Sequence, residues 1–538
     1  MEKETTRRIF RVERREISYI RYTLESYDGM AAVTTLDPRE ALISVSVAPG
    51  CESEFAGLLT SLTMKEGLLI EELDALKTST AMGEGRPGEL IARSSAAASG
   101  KGGFHIITMG CQMNVYDSDT AARMLIRAGW EPVADPRDAR LVLINTCSVR
   151  EKPEHKAVSM LGRMASLKCR RPEMILGMMG CFAQQKGAAL LKRFPGLNLV
   201  MGPRALGSFP ELLARIEKGA AEPLLALDTA DFPFDCERGD DFFKGRVTGF
   251  IAVMQGCDNF CSYCIVPYVR GRERSRGPAD ILSEADALLA EGVKELTLLG
   301  QNVNSYRWED GSIRRFPDLL RAVAEREGLL RLRFTTSHPK DLSDELIACF
   351  AELPALCPHI HLPFQAGSDR VLKRMGRRYS REDYLRLVEK LRRAQPAIAL
   401  TSDVMVGFPG ETEEDFAQTL DLIERIEFDN LYSFKYSDRP GTAAAGMDRK
   451  IPEEEKAARL ETLQRIQETI TQRRNQTLVG STVEVLVEGE SRRGRQFSGR
   501  SGCNRVVNFK YNKNCLGKII NVIVKESFIH SLRGEPIE

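Results

Sequence analysis

From residue 104 onward, short apolar runs alternate with longer stretches in which apolar residues recur every three or four positions. The short runs, rich in Val, Ile, Leu and Met and bounded by turn residues, read as buried strands; the longer stretches read as amphipathic helices. Strands are expected at Phe104–Met109, Leu141–Asn145, Met174–Met178 and Leu197–Met201, with helices between them that include Asp117–Gly129 and Gln184–Phe194. Such alternation implies a parallel sheet with helical crossovers. A helix at Pro210–Lys218 follows, then a loop holding Pro223, Pro233 and Cys236. The rhythm then restarts. Six more strands are expected, at Val247–Met254, Glu295–Leu299, Arg331–Thr336, Ile360–Phe364, Ile398–Val406 and Leu431–Tyr436. This is a parallel (βα)6 pattern, two units short of a full barrel, with its active face at the carboxyl end. Pro452–Gln476 reads as a long amphipathic helix laced with i,i+4 charge pairs. Beyond it, Thr482–Val487, Arg505–Phe509 and Lys518–Val524 alternate as the strands of a small β-barrel.

The first 75 residues follow another order. Strand Arg8–Val12, helix Glu16–Ser26, strands Met30–Thr35 and Ala41–Val47, helix Ser53–Met64 and strand Leu68–Glu72 make a βαββαβ series, which suggests a small α+β ferredoxin-like module. Gly, Ala and Ser dominate 76–102, which reads as a flexible linker. The fold class is therefore α/β multidomain. Its parts are the module (1–75), the linker, a parallel-sheet domain (103–220), a partial barrel domain (243–473) and a small β-barrel (475–538).

At 538 residues the chain is too long for a single core. Its 76 Lys and Arg balance 75 Asp and Glu, so any nucleic-acid surface must come from local clustering. One cluster is present: residues 475–538 hold ten Lys or Arg against six Asp or Glu, with Phe497, Phe509 and Tyr511 interleaved. That composition suits single-stranded nucleic acid, and equally a solvated basic β-domain. Thirteen cysteines behind a charged N-terminus with no apolar leader point to a reducing cytoplasm rather than a disulfide framework. No run approaches the ~18 apolar residues of a membrane span.

Six of the cysteines carry a pattern. Cys257, Cys261 and Cys264 follow the first barrel strand as C-x3-C-x2-C. Three thiolates can hold a four-iron cluster and leave its fourth iron open to a small molecule; a closed cluster normally takes four. A zinc knuckle would need a second pair or histidines nearby, and no matching pair follows. Three ordinary core cysteines are the remaining alternative. Cys111, Cys147 and Cys181 each follow a strand of the first sheet. Ligands of open parallel sheets gather beyond the carboxyl ends of the strands, so these three converge on one rim, as a second triplet or as three small buried residues. Cys51, Cys169, Cys236, Cys349, Cys357, Cys503 and Cys515 have no ligand spacing and read as structural.

The barrel triplet resembles the signature of radical S-adenosylmethionine (SAM) enzymes, in which the open iron holds SAM. Two triplets, a partial barrel and a basic C-terminal barrel together resemble the methylthiotransferase family over roughly residues 103–538. Gly110-Cys111-Gln112-Met113-Asn114, the run Asn145 to Glu151, Gln301-Asn302-Val303-Asn304-Ser305-Tyr306 and the run Pro267 to Glu273 are similar to its tRNA-modifying branch. The ribosomal-protein branch usually has Pro-Lys-Asn after the first cysteine, and the threonylcarbamoyl-adenosine branch Lys-Val-Asn; neither stands here. The end of the chain, with Ser531-Leu532-Arg533-Gly534, resembles the family's RNA-binding TRAM domain.

The resemblance implies methylthiolation at C2 of N6-isopentenyladenosine next to the anticodon of tRNA. A C2–H bond is strong and barely acidic, so a radical derived from SAM, not a base, would open it. Two 4Fe-4S clusters and SAM are the implied cofactors, with an external electron donor and a sulfur source as partners besides tRNA, and no membrane. The implied metal ligands are Cys111, Cys147, Cys181, Cys257, Cys261 and Cys264; the last three are also the catalytic set. SAM contacts are expected from Gln301 and Asn302, from Tyr263 beside Phe260 in the triplet, and from Asp403, Gly407, Gly410 and Glu411 around the Gly-Phe-Pro-Gly-Glu turn. A tight strand–helix turn is the plainer reading of that last string. RNA contacts are expected from Arg270 and Arg272, in a run with Arg274 and Arg276, and from Arg492, Arg493 and Arg495. Two other activities compete: the same reaction on threonylcarbamoyl-adenosine tRNA, and a redox-sensing iron–sulfur protein that binds RNA without turnover. A sensor would not need the triplet joined to the Gly-Phe-Pro-Gly-Glu strand end.

Overall fold

The computed structural model describes residues 6–12, 20, 31–37, 42–47, 51–64, 70–73, 101–148, 151–220, 222–227, 242–491 and 496–537. They fall into two compact units, Met1–Arg93 and Ser94–Glu538.

In the first unit the strands lie in the order Ala31–Asp37, Leu42–Val47, Thr6–Val12, Ile70–Leu73, all antiparallel. This is the strand order of the expected ferredoxin-like module. Phe10, Val12, Val33, Ile43, Val45 and Val47 are buried on one face, where helix Glu52–Met64 covers them with Phe55 and Leu62. The helix expected over 16–26 lies outside the described residues apart from Ile20, which is helical and buried. The expected linker lies outside them too, except for its last two residues, where the next domain begins.

The second unit opens with a six-stranded sheet in the order Leu224–Ala226, Leu199–Met201, Ile175–Met179, Leu141–Thr146, Gly102–Met109, Trp130–Pro132. Every pair is parallel. Two three-residue edge strands, Trp130–Pro132 and Leu224–Ala226, are too short to register as periodicity. The central strand Leu141–Thr146 is buried at each position, as a strand with helices on both faces must be. The chain starts in Gly102–Met109, steps to Trp130–Pro132 on one side, then crosses to Leu141–Thr146 on the other. The order therefore reverses between Gly102–Met109 and Leu141–Thr146, and such a switch point opens a crevice at the carboxyl ends.

The barrel strands form two parallel three-stranded arcs, Thr248–Ala252, Glu295–Leu299, Arg331–Thr335 and His359–His361, Ala399–Val406, Asn430–Lys435. A single bridge, Leu332 to Leu356, links the arcs. One core nonetheless serves both, with Leu298, Leu332 and Phe334 packed together with Ile360, Phe364 and Val404. The fourth strand was expected to run to Phe364 but pairs regularly only over His359–His361. Pro363 has no N–H to donate, and Gln365 turns into the left-handed region at φ 67°. Helix Glu453–Gln476 packs along Asn430–Lys435 and closes that open edge.

Thr482–Glu490, Phe497–Ser501, Val506–Phe509, Leu532–Pro536 and Ile519–Ser527 close into the five-stranded C-terminal barrel. It caps the amino ends of the partial-barrel strands. Arg331 donates to the carbonyls of Arg500 (2.5 Å) and Glu484 (2.9 Å), and Arg333 to those of Gly502 (2.9 Å) and Ser501 (2.8 Å). Arg333 also pairs with Glu295 at 3.0 Å, both side chains under a tenth exposed. Replacing Arg333 by Met would leave Glu295 as a buried, unpaired carboxylate. We expect this to cost about 3–5 kcal/mol, seen as a lower urea midpoint, and adding Glu295→Gln should recover part of the loss. An unchanged midpoint would show that the clamp contributes nothing.

Candidate active site

Just past strand Thr248–Ala252, Met254–Gln255 pairs antiparallel with Arg274–Ser275, so residues 256–273 form a closed loop carrying Cys257, Cys261 and Cys264. Gly256 adopts φ 81°, and a Cβ there would lie 2.0 Å from the Arg272 carbonyl oxygen. Only glycine fits so close a backbone approach. The Gly256 N–H donates to Gln301 Oε1 (2.5 Å), and the Cys257 N–H to the Gly271 carbonyl (3.2 Å). Phe260 sits at φ 46°, a left-handed conformation costing a bulky residue about 1–3 kcal/mol, and it turns the chain between the first two cysteines. Ser262 fixes the far side, its N–H bonded to the Met375 carbonyl (2.9 Å) and its hydroxyl to that of Arg374 (2.9 Å).

Two donors address the sulfurs. Asn259 Nδ2 lies 3.4 Å from Cys257 Sγ, and Arg377 Nη1 3.7 Å from Cys261 Sγ. Arg377 is itself held by the Pro363 carbonyl (2.8 Å) and the Tyr379 hydroxyl (3.0 Å). Burial pushes the Cys257 thiol up and the Cys264 thiol up to about 12, so these ligands become thiolates only by giving their protons up to a metal.

The second triplet lies on the sheet rim at the switch point. Cys111 precedes helix Gln112–Arg127, Cys147 ends strand Leu141–Thr146, and Cys181 opens helix Cys181–Arg193. Gly110 at φ 144° carries the chain from strand to helix; a Cβ there would meet Cys147 Cβ at 2.7 Å. An amide ladder fixes the rim. Asn114 Nδ2 donates to Asn145 Oδ1 (3.0 Å), and Asn145 Nδ2 donates back to the Asn114 carbonyl (2.8 Å) and to Ser118 Oγ (2.9 Å). A hydrogen bond from Cys147, aided by the charge of Arg270, brings the Cys111 thiol down to about 6. Around this rim the buried Thr146 Oγ1, Ser148 Oγ and Arg270 Nη1 have no partner among the described residues.

The two rims face each other. Met113 and Tyr116 pack on Ala252 and Leu299, while Cys181 packs on Ile265 and Val269 of the barrel loop. Arg270, six residues after Cys264, crosses between them: Nη2 bonds Asp117 Oδ2 at 2.6 Å and Nε lies 3.2 Å from Cys181 Sγ. Arg439 to Glu154 (2.9 Å) adds a contact between the domains, and Arg246, ahead of strand Thr248–Ala252, adds another with Asp119 (3.1 Å).

Several expectations change. Arg270 is 4% exposed and spent on Asp117 and Cys181, so it does not meet RNA phosphates. Asn302 is buried, its amide shared between Asp341 Oδ2 (2.7 Å) and the His338 N–H (3.1 Å); it builds the rim rather than holding SAM. Glu411 is buried against Arg459 (2.8 Å) and accepts from the Gly407 N–H (3.1 Å), so its carboxylate holds the turn. Gly407 is required by a close approach of the long helix, since a Cβ would lie 2.3 Å from Lys456 Cγ. A Cβ on Gly410 would meet Arg374 Cζ at 3.2 Å. Phe509 is buried and Phe497 half-buried in the small barrel, packed for its core rather than splayed for bases. Arg492, Arg493 and Arg495 lie outside the described residues.

Gln301 clamps the cysteine loop, and Asp403 Oδ2 lies 3.6 Å from His361 Nε2 at the barrel mouth. Tyr263 packs edge-on to Phe408, and burial raises its hydroxyl well above the usual range. Arg272 stays at the surface, paired with Asp258 (2.9 Å) and 5.5 Å over the Phe260 ring. Asn259, Arg377 and Asp117 carry no motif that marks them: Asn259 meets the sulfur of Cys257, while Arg377 and Asp117 meet Cys261 and Arg270 far along the chain.

Three sulfurs on each rim, with donors aimed at them and unsatisfied donors beside the second set, fit sulfur-rich iron clusters. Among the described residues, no three His, Cys, Asp or Glu side chains close on a site for one ion.

Comparison with known proteins agrees with this geometry. Residues 251–423 match the radical SAM superfamily, 476–537 the TRAM domain, 103–202 the uncharacterized protein family UPF0004, and 10–65 a domain of unknown function, DUF4911. A tRNA-2-methylthio-N(6)-dimethylallyladenosine synthase of Geobacter sulfurreducens is 50% identical over 437 residues, covering 80% of this chain and 97% of its own. The chain belongs to this synthase family. A synthase of the same name from Syntrophobacter fumaroxidans is 49% identical over 435 residues, covering 80% of this chain and 95% of its own. The radical S-adenosylmethionine methyltransferase TsrM of Kitasatospora setae shares the fold, with a TM-score of 0.50 at 18% identity over 64% of this chain and 75% of its own. Membership in the synthase family, with its radical SAM match, implies SAM and an iron–sulfur cluster as cofactors.

The cysteine loop depends on Gly256. A methyl group at that position collides with the Arg272 carbonyl and must open the loop. Gly256→Ala is expected to fold yet lose the iron of the barrel triplet, measured as iron per chain after anaerobic reconstitution. Full iron retention would mean that the loop tolerates a different path.

Proposed function

We propose that this chain is the methylthiotransferase that adds a methylthio group at C2 of N6-isopentenyladenosine next to the tRNA anticodon, using two 4Fe-4S clusters and SAM. One observation carries the reading: two three-cysteine rims, built by different domains, face each other across Arg270. Cys257, Cys261 and Cys264 would hold one cluster, and Cys111, Cys147 and Cys181 the other. When bound, the first supplies the electron that cleaves SAM and the second carries the sulfur.

The chain's own work is binding, orientation and exclusion of water. Asn259 and Arg377 place positive or polar hydrogen on the barrel sulfurs and so favour their charged form. Gln301 fixes the loop that carries them. Tyr263, between Cys261 and Cys264, and Asp403, beside His361, would supply contacts to SAM. At the surface beside the loop, Phe260 and Tyr268 are 45% and 54% exposed, with ring centroids 6.3 Å apart. These rings, with Arg272, offer stacking faces to an unstacked base of the anticodon loop, each contact of that kind being worth about 1–3 kcal/mol. The C-terminal barrel presents the exposed Lys510, Lys513, Lys518 and Lys525 to the RNA backbone. An electron donor and a sulfur source come from outside the chain. No helix among the described residues is long and apolar enough to cross a membrane, and the tRNA substrate fits a cytoplasmic enzyme.

Anaerobic reconstitution should give about eight irons per chain, falling to about four when Cys257, Cys261 and Cys264 are replaced by Ala. A triple variant that keeps all eight would remove the barrel triplet from the ligand set.

Substrate choice tests the reading most directly. An isoprenoid chain asks for an apolar pocket, in which a threonylcarbamoyl group would lose its hydrogen bonds. Offered tRNA bearing N6-isopentenyladenosine, tRNA bearing threonylcarbamoyl-adenosine and unmodified tRNA, the enzyme should form methylthio product from the first alone, detected by nucleoside mass spectrometry. Preferential turnover of the second would overturn the assignment.

A further inference from the structure

Arg270 is a buried charge that the reaction outlined above does not use. Its side chain is 3% exposed and that of Asp117 is 2% exposed. A cation so buried is retained only where anions or acceptors surround it. Asp117 supplies one, at 2.6 Å from Nη2, and Cys181 Sγ a second, at 3.2 Å from Nε. The third nitrogen, Nη1, is buried without a partner among the described residues. A guanidinium does not give up its proton in a protein, and Asp117 answers the charge at 2.6 Å. Thr146 Oγ1 and Ser148 Oγ, flanking Cys147, are orphaned in the same way. Three unsatisfied donors on one rim point to an acceptor-rich, negatively charged occupant.

The backbone of Arg270 belongs to the other site. It ends the short helix Val266–Val269 behind Cys264, and the next carbonyl, that of Gly271, accepts the N–H of Cys257 at 3.2 Å. One residue thus ties its main chain to the barrel cysteines and its side chain to the sheet cysteines.

We propose that Arg270 is a positioning residue for the Cys111–Cys147–Cys181 site. It donates hydrogen bonds to the Cys181 thiolate and, through Nη1, to a sulfur of the bound cluster, offsets the cluster's negative charge, and couples the filling of this site to the seating of the barrel cysteine loop. This rests on the two-cluster reading above. A positive charge at hydrogen-bond distance favours the reduced, more negative state of a cluster, and Asp117 opposes it.

The test uses full-length protein with Cys257, Cys261 and Cys264 replaced by Ala, so that only the second site can hold iron. In that background Arg270→Met, Arg270→Lys and Asp117→Asn are compared by iron content, electron paramagnetic resonance of the reduced cluster and midpoint potential, with thermal melting as a fold check. Arg270→Met should bind less iron, alter the resonance spectrum and move the potential to more negative values. Arg270→Lys should restore much of the potential but not the spectrum, since lysine keeps the charge without the planar fork. Asp117→Asn should move the potential the opposite way, which a purely structural role would not produce. If Arg270→Met leaves iron, spectrum and potential unchanged, or if both charge variants move the potential in one direction, the proposal fails while the two-cluster reading stands. If the background protein with Arg270 intact binds no iron, the two-cluster reading fails and takes the proposal with it.

Discussion

A buried ion pair between Arg270 and Asp117 sets the geometry on which the rest of the second unit depends. Two parallel sheets each gather ligands at their carboxyl ends. For both to serve one reaction, those ends must face each other, which buries polar loops at the junction. Hydrophobic contact alone would leave the junction free to slide, since apolar packing has little directional preference. A charge pair at 2.6 Å does not allow sliding. Removing either partner would strand the other in a nearly dry environment, at a cost of about 3–5 kcal/mol. The pair is thus a register device: it specifies how two domains meet more than it adds to their stability.

The opposite end of the partial barrel is closed by different means. Arg331 and Arg333 start on the amino side of their strand and reach into the C-terminal barrel, where they bond main-chain carbonyls rather than side chains. Asp429, just ahead of the last barrel strand, holds Arg474 at 2.9 Å and also pairs with Arg505 of the small barrel. The TRAM domain therefore sits at the amino ends of the strands, while the cysteines sit at the carboxyl ends. On the proposed function, a tRNA whose loop reaches Phe260 and Tyr268 would have to extend past the strands to reach the lysines of the small barrel. A long substrate could do so and a free nucleoside could not, so on that proposal the division of labour would favour structured RNA before any base is read.

Much of this was legible in the sequence, and the reason is periodicity. Strand Glu295–Leu299 was read with its correct ends, because Leu296, Leu298 and Leu299 stand between a glycine-containing turn and Gly300. Cys111, Cys147 and Cys181 were legible because each follows a strand and the parallel-sheet rule places strand ends on one rim, and Cys257, Cys261 and Cys264 through their C-x3-C-x2-C spacing. Three-residue strands escaped, since Trp130–Pro132 and Leu224–Ala226 are shorter than any period. Phe497–Ser501 and Leu532–Pro536 escaped because their alternation is diluted by Gly and Ser or by charge. The Gly-Phe-Pro-Gly-Glu turn was legible as a turn, but not its reason: Gly407 yields space to Lys456, 49 positions along the chain, and Glu411 answers Arg459 on the same helix.

The arginine run shows where composition stops being informative. Arg270, Arg272, Arg274 and Arg276 alternate with a period of two, as if they lined one face of an extended segment. The backbone breaks that face. Gly271, at φ 82°, turns the chain directly after the helix that ends at Arg270, and the pairing of Arg274–Ser275 with Met254–Gln255 then starts a new direction. The result is two exposed arginines, Arg272 and Arg274, and two buried ones, Arg270 and Arg276. Each buried guanidinium has found an acid, Asp117 for Arg270 and Glu284 for Arg276, because without one the burial would be prohibitive. Those acids stand 153 residues back and eight residues on, at distances set by the fold and by nothing in the local string. Four identical side chains thus divide between solvent and interior across a turn at one glycine, and of the two sent inward Arg270 is the one that joins the two sites.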